Sequence, residues 1–190
     1  MNPLSAAIAL SACLLASMPV ALAQGWPSRP IKLVVSFPPG GGTNTVARLL
    51  ADQMSKSLGQ QVVVENRGGA GGAIGAEAVS KSPPDGYTIV LGSTGTFLVS
   101  PGMTGGTPPY TLASFAPIAM LNITAMVLEV NAKNDIKDWP GLLAHLKANP
   151  GKFTVGHSGN GSTNHLALLS LQQAAGVRFN IIPYKSMGPA

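Results

Sequence analysis

The chain has 190 residues, with 12 Lys and Arg against 7 Asp and Glu, and so a formal net charge of +5. Only 10% of the residues are charged and 5% are aromatic, and the basic residues are scattered from Arg29 to Lys185 without a run. This composition argues against a nucleic-acid-binding protein, whose basic residues cluster on one face. The length allows one good hydrophobic core or two small ones.

The first 23 residues have the pattern of a signal peptide. They contain no charged side chain, are mostly apolar, and end in Ala-Leu-Ala at residues 21–23. Small residues at these positions are typical of a signal peptidase site, so we predict cleavage before Gln24 and a periplasmic mature protein. No later segment approaches the roughly 18 apolar residues that a membrane-spanning helix needs. The only cysteine, Cys13, lies in the signal, so we expect no disulfide and no thiol nucleophile in the mature protein.

After the signal, strand and helix patterns alternate. Residues 31–37 form a β-rich apolar run, residues 43–58 have helical spacing of apolar side chains, and Gly59 ends that helix. Residues 61–65, 72–80 and 87–91 then predict a strand, a helix and a strand. The order βαβαβ predicts a parallel sheet.

The second half continues the alternation less regularly. Residues 94–109, rich in Gly, Thr and Pro, predict a loop, and residues 115–121 and 125–130 predict two strands. A helix capped by Asp138, a strand at 152–156, a buried helix at 162–175 and a strand starting at 180–183 follow. We therefore predict an α/β fold with a first lobe at residues 24–124 and a partial second lobe at 125–190. Because no element follows the last strand, we expect the fold to be incomplete at its C-terminus.

Two glycine-rich turns, at residues 36–48 and 155–167, each follow a strand and open a helix. A helix start exposes unpaired N–H groups and the positive end of the helix dipole, so it binds an anion without a charged side chain. Thr43, Asn44, Ser162 and Thr163 add short polar side chains at these starts. The sequence therefore predicts an anion clamp made by two lobes. Residues 93–94, just past the third strand, lie where open α/β folds bind ligands.

Other motifs are weaker. Neither turn matches a Walker A or a G-x-G-x-x-G nucleotide-binding motif. A serine hydrolase is one alternative and would need Ser158 to be activated by His157 or His165. The three histidines lack the spacing of a helical metal site, so we predict no metal. We interpret a third glycine cluster, at residues 65–79, as a tight turn that lets a helix lie close to the sheet.

Several segments together carry a family resemblance: FPPGGGTNTVARLLA, VVVENRGGAGGAIGAEAV, PPDGYTIVLGS, SFAPIAML, PGKFTVGHSGNGSTNHLA and IIPYKSMGPA. In this order and spacing the chain resembles the periplasmic solute-binding proteins of tripartite tricarboxylate transporters, the Bug family. The resemblance implies a type II periplasmic binding-protein fold of two α/β lobes with a cleft. It also implies a receptor that is not an enzyme, has no cofactor, and delivers a small organic carboxylate to transporter membrane subunits. We expect a monomer, and a ligand-binding sensor for signalling is the other alternative.

The family's ligand-binding turns, carried onto this chain, give the predicted site. Its members are Phe37, Pro38, Gly40, Gly41, Thr43, Asn44, Ser93, Thr94, Ser158, Gly159, Gly161, Ser162, Thr163 and Tyr184. Asn44 stands where the family commonly has Asp. The missing carboxylate would favour a more anionic ligand or remove a contact to a ligand amino group.

Overall fold

A computed structural model describes residues 25–103, 105 and 109–185 of the chain. The predicted signal peptide at residues 1–23 lies outside the described residues. No helix in the described part of the chain is long and apolar enough to cross a membrane.

The first half forms a three-stranded parallel sheet. Its strands β1 (Ile31–Val35), β2 (Val62–Asn66) and β3 (Thr88–Leu91) lie in the order β2-β1-β3. The helices α1 (Gly42–Leu58) and α2 (Ala73–Ser80) connect them. The central strand β1 is nearly continuously apolar and buried, as expected for a strand with neighbours on both sides. The predicted βαβαβ unit is thus present, with each element within a few residues of its expected bounds.

The second half forms a smaller parallel sheet of β4 (Thr154–His157) and β5 (Asn180–Pro183). The helix α3 (Trp139–Ala148) precedes β4, and its N-cap Asp138 accepts a hydrogen bond from the Gly141 N–H at 2.8 Å, as predicted. The helix α4 (Thr163–Ala175) joins the two strands. Leu146 of α3 and Leu168 of α4 share a separate apolar cluster with Phe179. The two sheets therefore have separate cores.

Three sequence predictions about the second half are wrong. Residues 115–121 and 125–130 form no strand in the described structure, and their apolar side chains are largely exposed, with Ile118 at 80% and Ile123 at 85%. A strand pattern forms a sheet only where a partner satisfies its backbone groups. Residues 94–109 are not simply a loop, because Gly95–Val99 and Ser100–Met103 form helical turns. The helix α4 (Thr163–Ala175) is predicted to be buried, but Leu168 is its only buried residue.

Candidate functional site

The first glycine-rich turn, residues 37–43, leads from β1 into α1 and leaves its backbone open. Gly40 has a φ of +95°, a backbone conformation that residues other than glycine rarely adopt. A Cβ atom built on Gly40, Gly41 or Gly42 would meet no atom within 4 Å. Gly41 caps α1 without a side-chain hydrogen bond, and the first turn of the helix has no acidic residue. The positive end of the α1 dipole is therefore accessible and uncompensated.

A chain of side-chain hydrogen bonds anchors the first turn from beneath. Asn66 donates from Nδ2 to the Phe37 carbonyl at 2.8 Å, and Asn44 donates from Nδ2 to Asn66 Oδ1 at 3.0 Å. Arg48 donates from Nε to Asn44 Oδ1 at 3.2 Å. Asn44 is only 6% exposed, and both polar atoms of its carboxamide already bind protein groups. Its position thus favours a role in holding the turn over direct side-chain contact with a ligand.

The second glycine-rich turn, residues 157–163, has its hydroxyl groups already engaged. Ser162 accepts a hydrogen bond from the His165 N–H at 3.2 Å and so acts as the N-cap of α4. Ser158 donates from Oγ to Asn164 Oδ1 at 2.9 Å. An amide oxygen cannot take a proton as a general base, so this geometry does not support the serine hydrolase alternative.

The structure brings two predicted site residues together across the two sheets. Thr163 Oγ1 accepts a hydrogen bond from the Gly95 N–H at 3.2 Å and donates to Ser93 Oγ at 3.4 Å. A Cβ atom on Gly95 would meet the Thr163 nitrogen at 2.5 Å. The segment after β3 therefore covers the N-terminus of α4. Thr94, by contrast, is exposed.

The third glycine cluster contacts both turns. We define residues 68–75 as the central glycine segment. A Cβ atom on Gly68 would clash with the Pro38 ring of the first turn, and one on Gly71 would clash with the Asn160 carbonyl of the second. One on Gly75 would meet the Arg67 carbonyl at 2.7 Å, close to the sheet. The predicted close packing of helix and sheet is present, and in addition this segment supports both turns.

Two buried hydroxyl groups fix the contact between the central glycine segment and the second turn. Thr96 donates from Oγ1 to the Gly71 carbonyl at 3.1 Å. Ser100 lies within 3.4 Å of the Gly71 carbonyl and 3.3 Å of the Gly161 carbonyl. The phenol of Tyr110 donates to the Thr96 carbonyl at 2.6 Å, and burial raises the pKa of Tyr110 to about 12. Sequence reasoning missed all three residues, because they lie in or beside a segment with the composition of a loop.

Two stacked histidines lie beneath the second turn. The rings of His157 and His165 have centroids 4.6 Å apart and planes 15° apart. His157 Nδ1 lies 3.1 Å from the Gly159 carbonyl oxygen, and the Gly161 N–H donates to His165 Nδ1 at 3.4 Å. His157 is fully buried, and its Nε2 has no hydrogen-bond partner within the described part of the chain. Burial lowers the pKa of His157, and the neighbouring His165 lowers it further.

Tyr184, the last predicted site residue, follows β5 beside the second turn. Its N–H donates to the His157 carbonyl at 2.8 Å, while its side chain is 37% exposed. A Cβ atom on Gly159 would lie 3.3 Å from the Tyr184 carbonyl. As for metals, the described residues contain no group of three or more His, Cys, Asp or Glu side chains placed to hold an ion.

Residues 46–190 match the family model described as "Tripartite tricarboxylate transporter family receptor". The chain is 41% identical over 169 residues to Protein BugT of Bordetella pertussis, covering 88% of this chain and 52% of that protein. It is 40% identical over 167 residues to a UPF0065 protein in the tcbD-tcbE intergenic region of Pseudomonas sp. strain P51, covering 88% of this chain and 49% of that protein. The chain thus spans about half the length of the curated relatives it matches.

Solved structures give the same picture. A structure of a periplasmic transporter is 43% identical, with a TM-score of 0.82, and the match covers 87% of this chain and 55% of that one. MatC from Rhodopseudomonas palustris, solved with bound malate, is 32% identical with a TM-score of 0.79, covering 86% and 56%. R. palustris Rpa4515, solved with adipate, is 32% identical with a TM-score of 0.77, covering 86% and 55%. These matches confirm the predicted binding-protein fold and show that the chain covers about half of it.

Proposed function

The chain belongs to the tripartite tricarboxylate transporter receptor family, and on this premise we propose that it serves as a periplasmic receptor for a small organic acid. The observation that carries the proposal is the open first turn at the start of α1. In two structural relatives, malate and adipate are the bound molecules. Both are dicarboxylic acids, so a carboxylate is the group that this chain would recognise.

The first turn supplies the chemistry for a carboxylate. The N–H groups of Gly42 and Thr43 precede the first intrahelical hydrogen bonds of α1, so they are available as donors. Three consecutive glycines allow the anion to approach the backbone closely, and the helix dipole favours its charge. A site of this kind binds and releases without covalent chemistry, which is the requirement of a receptor.

The second turn would form the facing wall. Its hydroxyls are held by Ser93, Asn164 and the His165 N–H, so we infer that it presents a fixed surface. We propose that the lobes at residues 24–124 and 125–190 enclose the ligand between the two turns. The predicted site residues in these turns, together with Ser93 and Tyr184, would line that space.

The experiment compares two substitutions at Gly42, where a side chain has free space. Gly42→Asp places a carboxylate at the first helical position. There its charge interacts favourably with the helix dipole and stabilises the protein by about 0.3–1 kcal/mol, but it repels an anionic ligand. Gly42→Asn has nearly the same shape without the charge. Binding of malate and of adipate is measured by calorimetry, and melting temperature is measured without ligand.

We expect Gly42→Asp to melt at or above the wild-type temperature yet to lose at least about tenfold in affinity for the acid that binds, a difference of about 1.4 kcal/mol. Gly42→Asn should keep most of the affinity. Equal affinity in both variants would contradict anion binding at the first turn. Failure of the wild type to bind any mono-, di- or tricarboxylate in a panel would contradict the receptor function itself.

Delivery to transporter membrane subunits is the second part of the proposal, and the family description supports it. Deleting the gene for this chain should abolish uptake of the radiolabelled acid that the protein binds, and the wild-type gene in trans should restore it. Uptake that persists in the deletion strain at low substrate concentration would instead favour a sensor role.

A further inference from the structure

The stacked histidines hold the second turn at two adjacent points of its backbone. His157 ends β4 and contacts the Gly159 carbonyl, while His165, in the first turn of α4, accepts from the Gly161 N–H. The two glycines have φ values of +103° and +80°. The rings therefore fix one carbonyl and one N–H group of a backbone that has the left-handed conformation at both glycines.

The contact of His165 requires an unprotonated Nδ1, and the burial of His157 favours a neutral ring there. His157 Nδ1 carries the proton that the Gly159 carbonyl oxygen accepts, in the neutral ring and in the cationic ring alike. In the neutral ring Nε2 is unprotonated, and this atom is buried with no hydrogen-bond partner among the residues that the structure describes. For His165 Nδ1 to accept from Gly161 it must be unprotonated. A proton added to His165 at Nδ1 removes that acceptor, and a proton added to His157 at Nε2 places an unpaired charge in a fully buried ring.

No acidic side chain in the described part of the chain contributes to the pKa shift of His157. The charged group that acts on His157 is His165, and its electrostatic effect lowers the pKa of His157. The central glycine segment and the helical turn after β3 contribute backbone groups and the hydroxyls of Thr96 and Ser100 to this region. From the β5 side, Tyr184 donates its backbone N–H to His157, and Lys185 follows it in the chain. Protonation of both rings would therefore put two like charges on rings 4.6 Å apart, and protonation of His157 alone would bury a charge that has no acidic partner among the described residues.

We propose that His157 and His165 are positioning residues that hold the second turn in its ligand-binding geometry only while both rings are neutral, so that acidification weakens binding. The inference rests on the proposed receptor function, because it concerns the wall of the same site. It adds that release of the ligand is linked to proton uptake by this pair. The lowered pKa of His157 agrees with this assignment, since it reflects the preference of the site for the neutral ring.

The test uses His165→Asn in the full chain, with malate as the probe. The Oδ1 atom of Asn takes the place of His Nδ1 as an acceptor for Gly161, but it does not titrate. His157→Asn likewise keeps a donor for Gly159 without a titratable ring. His145→Asn is the control, because His145 lies on α3 and packs against Phe153 at a centroid distance of 5.6 Å, outside the second turn.

Dissociation constants for malate are measured from pH 8 to pH 5.5. The wild type and His145→Asn should weaken alike on acidification, by at most about tenfold per pH unit for one linked proton. His165→Asn should bind as tightly as the wild type at pH 8 and should lose most of this pH dependence. The ionisation of malate itself is common to all four proteins and cancels in the comparison.

Two results overturn the inference, and they differ from failure of the receptor function. His165→Asn and His157→Asn that both keep the wild-type pH profile would show that the pair does not control the turn. His165→Asn that folds with an unchanged melting temperature but binds weakly at pH 8 would show that an acceptor at Nδ1 is not what positions Gly161. Absence of malate and adipate binding by the wild type at every pH would instead reject the proposed function, and this inference with it.

Discussion

The first and second turns start from the same local pattern of strand, glycines and helix, yet the structure uses their glycines differently. In the first turn, Gly40, Gly41 and Gly42 face open space. In the second, a Cβ on Gly161 would lie 2.6 Å from Ser100 Oγ, and Gly159 is close to the Tyr184 carbonyl. Glycine in the first turn leaves room for a ligand, and glycine in the second turn leaves room for the rest of the protein.

This difference predicts that the two turns have different roles and respond differently to substitutions. An open turn at a helix start binds by its own backbone donors, whereas a packed turn gains precision from the segments that hold it. Ligand binding at the first turn should therefore be most sensitive to added charge. The second should be sensitive to any change in packing, even at residues that never contact a ligand.

Replacing Gly71 by Ala should disturb the second turn more than any other single substitution considered below. Its Cβ would clash with the Asn160 carbonyl and lie 2.9 Å from the Gly161 carbonyl carbon, and its φ of +65° disfavours a side chain. Strain and overpacking together should cost about 2–4 kcal/mol of unfolding free energy. Chemical denaturation measures this loss. Gly102→Ala is the matched control, because Gly102 has open space and should change stability by less than about 0.5 kcal/mol. Equal stability of the two variants would show that the central glycine segment does not support the second turn.

Thr96→Val tests the same support at nearly constant volume. Thr96 is fully buried, and its hydroxyl both donates to the Gly71 carbonyl and accepts from the Ser93 N–H at 3.3 Å. Valine removes both of these hydrogen bonds from a buried position, so we expect a loss of about 1–3 kcal/mol in unfolding free energy. Thr45→Val, at an exposed position on α1, provides the comparison. If both valine variants lose the same small amount, the buried hydroxyl is not what joins the two segments.

Asn66→Ala probes the first turn alone. The substitution removes the donor to the Phe37 carbonyl and the acceptor for Asn44. We expect a loss of about 1–2 kcal/mol, together with weaker binding of the carboxylate, because the first turn loses its anchor. Asn180→Ala removes an exposed hydrogen bond to Thr154 in the second sheet and should leave binding unchanged. Calorimetric titration with malate or adipate separates the two variants, and equal affinities would mean that the first turn does not need this anchor.

Much of this architecture could be predicted from the sequence, because it depends on local patterns. In the part of the chain that the structure describes, the five strands and the four α-helices beside them follow from apolar runs, helical spacing and caps such as Asp138 and Gly59. The strands predicted at residues 115–121 and 125–130 did not form in the described structure. A local pattern indicates that a segment could join a sheet, but pairing also requires a partner strand.

The support of the site could not be predicted for the same reason. The contact of Gly71 with Gly161 joins residues 90 positions apart, and the link from Ser100 to Gly161 spans 61 positions. Nothing in the spacing of Gly-Gly-Ala-Gly-Gly distinguishes a glycine that packs on its own helix from one that meets a distant turn. Local turn chemistry thus indicates where a site lies, and tertiary packing decides which residues hold it.

The smallest expected effect comes from Tyr110→Phe, which removes one hydroxyl at the outer end of this support. The phenol donates to the Thr96 carbonyl at 2.6 Å and is buried, so its loss should cost about 1 kcal/mol near neutral pH.

The pH dependence of stability gives a second, independent test of the Tyr110 phenol. Burial raises the pKa of Tyr110 from 10.0 to about 12, so the unfolded chain loses this proton before the folded one does. The phenol's contribution to stability is therefore complete below pH 10 and is lost as the pH rises from 10 towards 12. Unfolding free energies between pH 8 and pH 11 should show a steeper alkaline decline in the wild type than in Tyr110→Phe. Tyr184→Phe, whose side chain is 37% exposed, should retain the steep decline. Parallel curves for the wild type and Tyr110→Phe would show that the phenol is not held in its neutral form by the packing around Thr96.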